Sequence, residues 1–207
     1  MIFGQKTGIR WVFGDKNTPL PSEAKRVNQV HSNKVIIVLD LAEDTSLQEA
    51  DALVSKVPGI ILSVKTADCL PLLLYDPEAK VIAAVHAGWR GAQLGIIERS
   101  LEAMKELGAK EITALLGPSI QKNSYEVGQE FRDFFPDKYL TAADTSLFFD
   151  LPLFAKDILI KAGIKDLWSS DLDTYQSNDF YSYRRSTKLG KPLESHARQF
   201  SFIQLNP

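Results

Sequence analysis

Three side chains in this sequence have the chemistry of metal ligands and lie where short apolar runs give way to polar turns. Cys69, the single cysteine, stands in Thr66-Ala67-Asp68-Cys69-Leu70-Pro71. His86 opens His86-Ala87-Gly88-Trp89-Arg90-Gly91, and His31 lies in Asn28-Gln29-Val30-His31-Ser32, just ahead of the apolar residues 35–39. Two imidazoles and a thiolate with a vacant fourth position form the donor set of a catalytic zinc, because the vacancy lets water or substrate reach the ion. Asp68, beside Cys69, is a candidate for orienting a ligand or carrying a proton. The three donors are too far apart for one helix or a short knuckle, so the fold must bring them together.

Taken singly, each residue has a plainer reading. A lone cysteine is most often a small buried hydrophobe, and a lone histidine most often a hydrogen-bonded structural one. A metal-free reading also stands: Cys69 as nucleophile, His86 as its base and His31 as the orienting third member, a set that cleaves amides or esters.

The supporting elements are short runs rich in Val, Ile and Leu at residues 35–39, 59–64, 70–75, 81–85 and 112–116, read as buried strands. The turn Asp76-Pro77-Glu78-Ala79-Lys80 between two of them predicts an antiparallel hairpin, which places Cys69 and His86 at the same open end. Leu94, Ile97, Leu101, Met104 and Leu107 recur at helical spacing on one face, with Gly108 as the stop. A second helix is expected over 151–162, with Leu151, Phe154, Ile158 and Ala162 on one stripe, Asp150 as N-cap and Gly163 as terminator. Residues 199–205 read as a closing strand. The polar stretch 171–195 is expected to be a long loop, and such loops in compact domains are usually functional or mobile.

The chain has 207 residues, 44% of them hydrophobic and 24% charged, and a net charge of -2. That is enough for one α/β domain over residues 1–207, and no repeat or biased linker divides it. The charge balance argues against a nucleic-acid partner and for a small molecule. One cysteine precludes an internal disulfide. No apolar run is long enough to span a bilayer, and 1–13 lacks the apolar core of a leader, so the expected location is the cytoplasm and no membrane partner is expected. The sequence does not indicate an oligomeric state.

Further candidates surround the metal set. Gly88, Gly91 and Arg90 gather where a strand turns into the best helix, a setting for an anion such as phosphate, with Arg90 as a bidentate clamp. Trp89 is either a wall for an aromatic ligand or a core anchor. Ser119, in Leu116-Gly117-Pro118-Ser119-Ile120, is a candidate ligand contact at a strand end. Tyr181-Ser182-Tyr183-Arg184-Arg185 and Arg198 combine cations and aromatics suited to a base or a phosphate, with Arg185 and Arg198 as the expected contacts.

Together these segments, with Asp51-Ala52-Leu53-Val54, Pro58-Gly59 and Tyr125-Glu126-Val127-Gly128, resemble the multicopper polyphenol oxidoreductase or laccase-like family. That family is also described as purine nucleoside phosphorylases and as a peptidoglycan editing factor. The resemblance spans most of the chain. It implies a mixed-sheet α/β/β/α sandwich in which His31, Cys69 and His86 bind zinc, with Cu2+ as the alternative ion. It also implies phosphorolysis of adenosine, inosine, guanosine and methylthioadenosine, with purine nucleoside and phosphate as partners, together with adenosine deamination. An older assignment is copper-dependent phenol oxidation, but one cysteine and three histidines are too few donors for several copper ions. His196 has no counterpart in the family's metal set and is left out of it.

Some segments depart from the family pattern. The part before Val27 is short, Asp173-Thr174 stands where Cys-Thr is usual, and Ala197-Arg198 where Gly-Arg is usual. These departures bear on substrate choice rather than on the metal donors. The competing functions are a hydrolase of peptidoglycan precursors using the same site, and a non-catalytic scaffold in which His196 or Asp68 closes the coordination sphere.

Overall fold

The computed structural model describes residues 1–191 and 197–207. His196 and the end of the expected 171–195 loop lie outside the described residues. The centre is a sheet of six strands: β3 (Val35–Val38), β4 (Ala52–Ser55), β6 (Leu70–Asp76), β7 (Val81–Ala87), β8 (Thr113–Leu116) and β12 (Asp166–Ser169). Their order across the sheet is β12-β8-β6-β7-β4-β3, with antiparallel pairs in the middle and a parallel pair at each edge. β4, β6, β7 and β8 are buried along their whole length because both faces are covered, which is why they read as continuous apolar runs rather than alternating ones.

One face carries helices, the other a second sheet. α2 (Ile96–Glu106) and α3 (Leu151–Lys161) pack on the first through Ile97, Leu101, Met104, Leu151 and Leu159, together with Phe131, Phe135 and Phe149. Against the opposite face lies a four-stranded antiparallel sheet in the order β1 (Ile2–Lys6), β2 (Ile9–Phe13), β13 (Gln199–Leu205), β5 (Ile61–Thr66). Leu53, Leu73, Ile82 and Ala84 of the central sheet meet Ile9, Leu62, Val64 and Ile203 of the second. A small third sheet joins β9 (Glu126–Val127), β10 (Leu140–Ala143) and β11 (Ser146–Phe149). The expected mixed-sheet α/β sandwich is thus present, with its two stacked sheets.

Two expectations change. The amphipathic run after His86 is not one helix: α1 (Trp89–Gln93) stops and α2 restarts past Gly95, whose φ of 93° belongs to the left-handed region that glycine tolerates. Leu94, placed on the buried stripe by spacing alone, is half-exposed at that break. The stretch from 171 also contains a short helix, α4 (Tyr183–Lys188), capped by Ser182 Oγ, which accepts the Arg185 N–H at 3.1 Å. α3 forms as expected, with Asp150 accepting the Leu153 N–H at 2.9 Å. Its fully buried stripe is Leu151, Ala155 and Leu159, with Phe154, Ile158 and Ala162 flanking it.

Candidate functional site

The β6–β7 hairpin sets the first pair of donors. Pro71 pairs with His86 and Leu70 with Ala87, so Cys69 and Gly88 leave the hairpin side by side at its open end. His31 arrives from the loop ahead of β3. Cys69 Sγ and His31 Nε2 are 3.7 Å apart, and the His31 and His86 rings meet edge-on at 4.8 Å between centroids. The donor atoms of all three residues lie within 4.8 Å of one another.

This donor set fits a zinc ion. Bond lengths of about 2.3 Å to sulfur and 2.05 Å to nitrogen at a tetrahedral angle place S and N about 3.5 Å apart, close to the separation found here. Gly88 makes the space: a Cβ there would come within 2.8 Å of His31 Cδ2 and 3.0 Å of Cys69 Sγ. The glycine predicted to cradle an anion therefore lets the ligands converge.

Asp51 holds two of the three donors. It is fully buried, and its carboxylate accepts the His31 N–H at 3.0 Å, the Ser32 N–H at 2.6 Å, the Ser32 hydroxyl at 2.8 Å and, more weakly, the Val30 N–H at 3.3 Å. Its Oδ1 is also 2.8 Å from His86 Nδ1, which turns Nε2 of that ring toward the other donors. These bonds keep His31 at a φ of 60°, a strained conformation for a non-glycine residue. Burial alone would raise the Asp51 pKa, but His86 and the Ser32 N–H outweigh it and hold it at about 2. Burial likewise opposes charge on Cys69 and His86. Their mutual attraction wins, aided by His31 on the thiol and Asp51 on the imidazole, so the Cys69 pKa is lowered and that of His86 raised.

Asp68 is tied into the scaffold on the other side of Cys69. Its carboxylate accepts from Thr174 Oγ1 at 2.7 Å, Ser182 Oγ at 3.0 Å and the Arg184 N–H at 2.7 Å, and its own φ is 89°. It thereby fastens the segments around 174 and 182–184 to the strand end that carries Cys69. The donors open into a cleft of about 450 Å³. Trp89, Arg90, Tyr125, Arg184 and Arg198 line it, and the Arg90 guanidinium sits 4.3 Å over the Trp89 ring. Burial pushes the Tyr125 pKa upward, and the charges of Cys69 and Asp68 add to this against Arg184 and Arg90, so its hydroxyl stays protonated at neutral pH.

Two of the expected contacts are placed elsewhere. Ser119 is fully buried and accepts from Gln121 Nε2 at 3.2 Å, while its neighbour Ile120 reaches the cleft. The Arg185 guanidinium donates to the carbonyls of Thr174, Tyr175, Ser177 and Phe180, so it knits the loop together. Arg184 takes the cleft position, donating to the Glu126 carbonyl at 2.6 Å. Asp51, present in the motif Asp51-Ala52-Leu53-Val54 but given no role by it, is the added functional residue; an acid heading a buried apolar run is the signal of a paired charge.

The family model described as multi-copper polyphenol oxidoreductase laccase matches residues 15–205. The chain belongs to that family. A relative from Deinococcus radiodurans, named purine nucleoside phosphorylase, is 42% identical over 166 residues, covering 77% of this chain and 64% of the relative. The chain thus spans somewhat under two thirds of that relative's length. One of the same name from Aquifex aeolicus is 40% identical over 167 residues, covering 81% of this chain and 79% of its own. The structure of the Neisseria meningitidis protein NMB0706, assigned to family DUF152, superposes with a TM-score of 0.83 at 25% identity, covering all of this chain and 99% of that one. The Bacillus licheniformis YfiH structure gives 0.78 at 28%, covering 89% and 74%. Among the described residues no helix is long and apolar enough to cross a membrane.

Proposed function

We propose that this chain is a zinc-dependent purine nucleoside phosphorylase. The observation that carries the reading is the convergence of His31, Cys69 and His86 on a cleft whose walls also present Arg90 and Arg184. The names of the Deinococcus and Aquifex relatives point the same way. In phosphorolysis a phosphate oxygen bonds to C1′ of the ribose, the glycosidic bond breaks, and the purine leaves with the electron pair and takes up a proton. Arg90 and Arg184 supply positive charge for the phosphate, and the Trp89 ring beneath Arg90 and the Tyr125 ring beneath Arg184 hold those guanidiniums at the cleft wall. The protonated Tyr125 hydroxyl is a donor for the departing purine or a ribose oxygen. Asp51 fixes the His86 tautomer and anchors the His31 backbone, and Asp68 keeps the Arg184 segment against the cleft. Zinc, when bound, supplies Lewis acidity at the position the three donors leave open.

Deamination of adenosine is a second reading, supported by the same open position. The two reactions are separated by incubating the purified protein with adenosine, with and without phosphate. Phosphate-dependent adenine and ribose 1-phosphate, absent with Cys69→Ala, support phosphorolysis. Inosine formed without phosphate supports deamination. Turnover of a muropeptide precursor with neither purine reaction overturns both.

A further inference from the structure

The cleft continues past the metal donors. Gln29, Lys65 and Arg198 line both the metal cavity and an adjoining one of about 430 Å³, whose other walls include Arg26, Asn28 and Phe200. Three walls of this second cavity are cationic and, among the described residues, none is a carboxylate. Such a concavity concentrates anions. Its base is built from backbone: the Gln29 carboxamide accepts the Lys65 N–H at 2.9 Å and donates to the Lys65 carbonyl at 2.8 Å, which fixes the strand position from which Lys65 projects. Neither the Lys65 ammonium nor the Arg26 guanidinium has a hydrogen bond or ion pair among the described residues. Arg26 also lines the neighbouring depression that holds Asp44, whose carboxylate accepts the Ser46 N–H at 2.9 Å and feels the Arg26 charge without pairing with it directly.

A phosphate that attacks C1′ must sit within bonding reach of the sugar, beside the metal donors. Lys65 stands where the two cavities meet, Arg26 lines only the second of them, and none of the three metal donors reaches it, so an anion held between Lys65 and Arg26 belongs to a part of the ligand away from the breaking bond. We infer that the second cavity is a subsite for a phosphoryl group carried by the nucleoside itself, making purine nucleoside monophosphates ligands of this protein. The inference rests on the reading of the metal cavity as a nucleoside site.

Calorimetric binding of adenosine, adenosine monophosphate and inorganic phosphate to the zinc-loaded protein tests it at low ionic strength, with Lys65→Ala, Lys65→Glu and Arg26→Ala alongside. Both positions are exposed, and melting temperatures matching the parent verify folding. The monophosphate should bind about tenfold more tightly than adenosine, the scale of one charge-assisted contact, with the ratio shrinking as salt is added. Lys65→Glu should bring the ratio to one or below. Equal affinities in the parent, or a ratio untouched by all three variants, overturn the inference and leave the nucleoside reading intact. Free phosphate lost with Lys65→Glu, while the monophosphate gains nothing, also overturns it, assigning the cavity to inorganic phosphate. Binding of neither adenosine nor the monophosphate overturns both readings.

Discussion

Replacing Gly88 by alanine adds one methyl group at the point where the donors meet. Gly88 has a φ of -74°, so alanine fits its backbone without strain and the effect is confined to the new carbon. That carbon would stand 2.8 Å from His31 Cδ2 and 3.0 Å from Cys69 Sγ. Carbon contacts relax near 3.5–4.0 Å, so the two donors must separate by roughly half an ångström or more. Displacements of that order in a ligand set, like losses of its supporting hydrogen bonds, cost about 10- to 100-fold in metal affinity, or about 1.4 to 2.8 kcal/mol. Zinc affinity measured by chelator competition should fall by that factor. Gly108→Ala is the control: its φ of +102° strains an alanine backbone, but no atom lies within 4 Å of the new carbon. It should lower the melting temperature and leave zinc binding alone. A Gly88→Ala protein that binds zinc as tightly as the parent would refute the assignment of these residues as converging ligands.

Asp51→Asn should weaken zinc binding about 10- to 100-fold through loss of histidine orientation. It should also lower the unfolding free energy by about 3 kcal/mol in urea titrations, since a fully buried, multiply bonded carboxylate is lost. Arg185→Lys should destabilise the fold by about 1.5–3 kcal/mol without changing zinc content, whereas Arg184→Ala should lower kcat/KM with zinc content also unchanged. If Arg185→Lys instead affects only turnover, the division between the two arginines is wrong. Asp76, buried and accepting four backbone N–H groups from residues 78, 79, 110 and 111, has its pKa lowered: burial raises it, but these bonds outweigh burial. Its stabilising contribution is therefore present above the unfolded carboxylate value of about 3.9 and disappears as pH falls through the lower folded value. The stability gap between parent and Asp76→Asn should be open at pH 7 and close in acid, and a gap independent of pH would exclude the linkage.

The hairpin that carries Cys69 and His86 was readable because a short polar turn separates two apolar runs, and antiparallel pairing then leaves no freedom in which ends meet. The α3 cap was readable for a similarly local reason, the Asp150 carboxylate being the acceptor its first turn requires. The break at Gly95 was hidden because apolar spacing continues through it, and only the left-handed φ reveals that Leu94 is turned outward. Adjacent arginines 184 and 185 are chemically identical in sequence. Their division of labour depends on the Ser182 cap and on the carbonyls that the loop gathers around Arg185. The hairpin of β10 and β11 and the strands β1 and β2 are hard to read because each is only four or five residues long, and β1 and β11 mix polar with apolar residues, so pairing with a neighbour rather than pattern completes them. Asp51 was hidden by distance: its partners His31 and His86 come from a loop and another strand.

Zinc titration into chelator-stripped protein, with phosphate-dependent release of adenine followed at each addition, decides whether a metal held by His31, Cys69 and His86 drives phosphorolysis. Turnover should be absent at zero zinc and rise linearly to an end point at one equivalent per chain. Full turnover in the stripped protein, or adenine release indifferent to phosphate, would contradict metal-driven phosphorolysis.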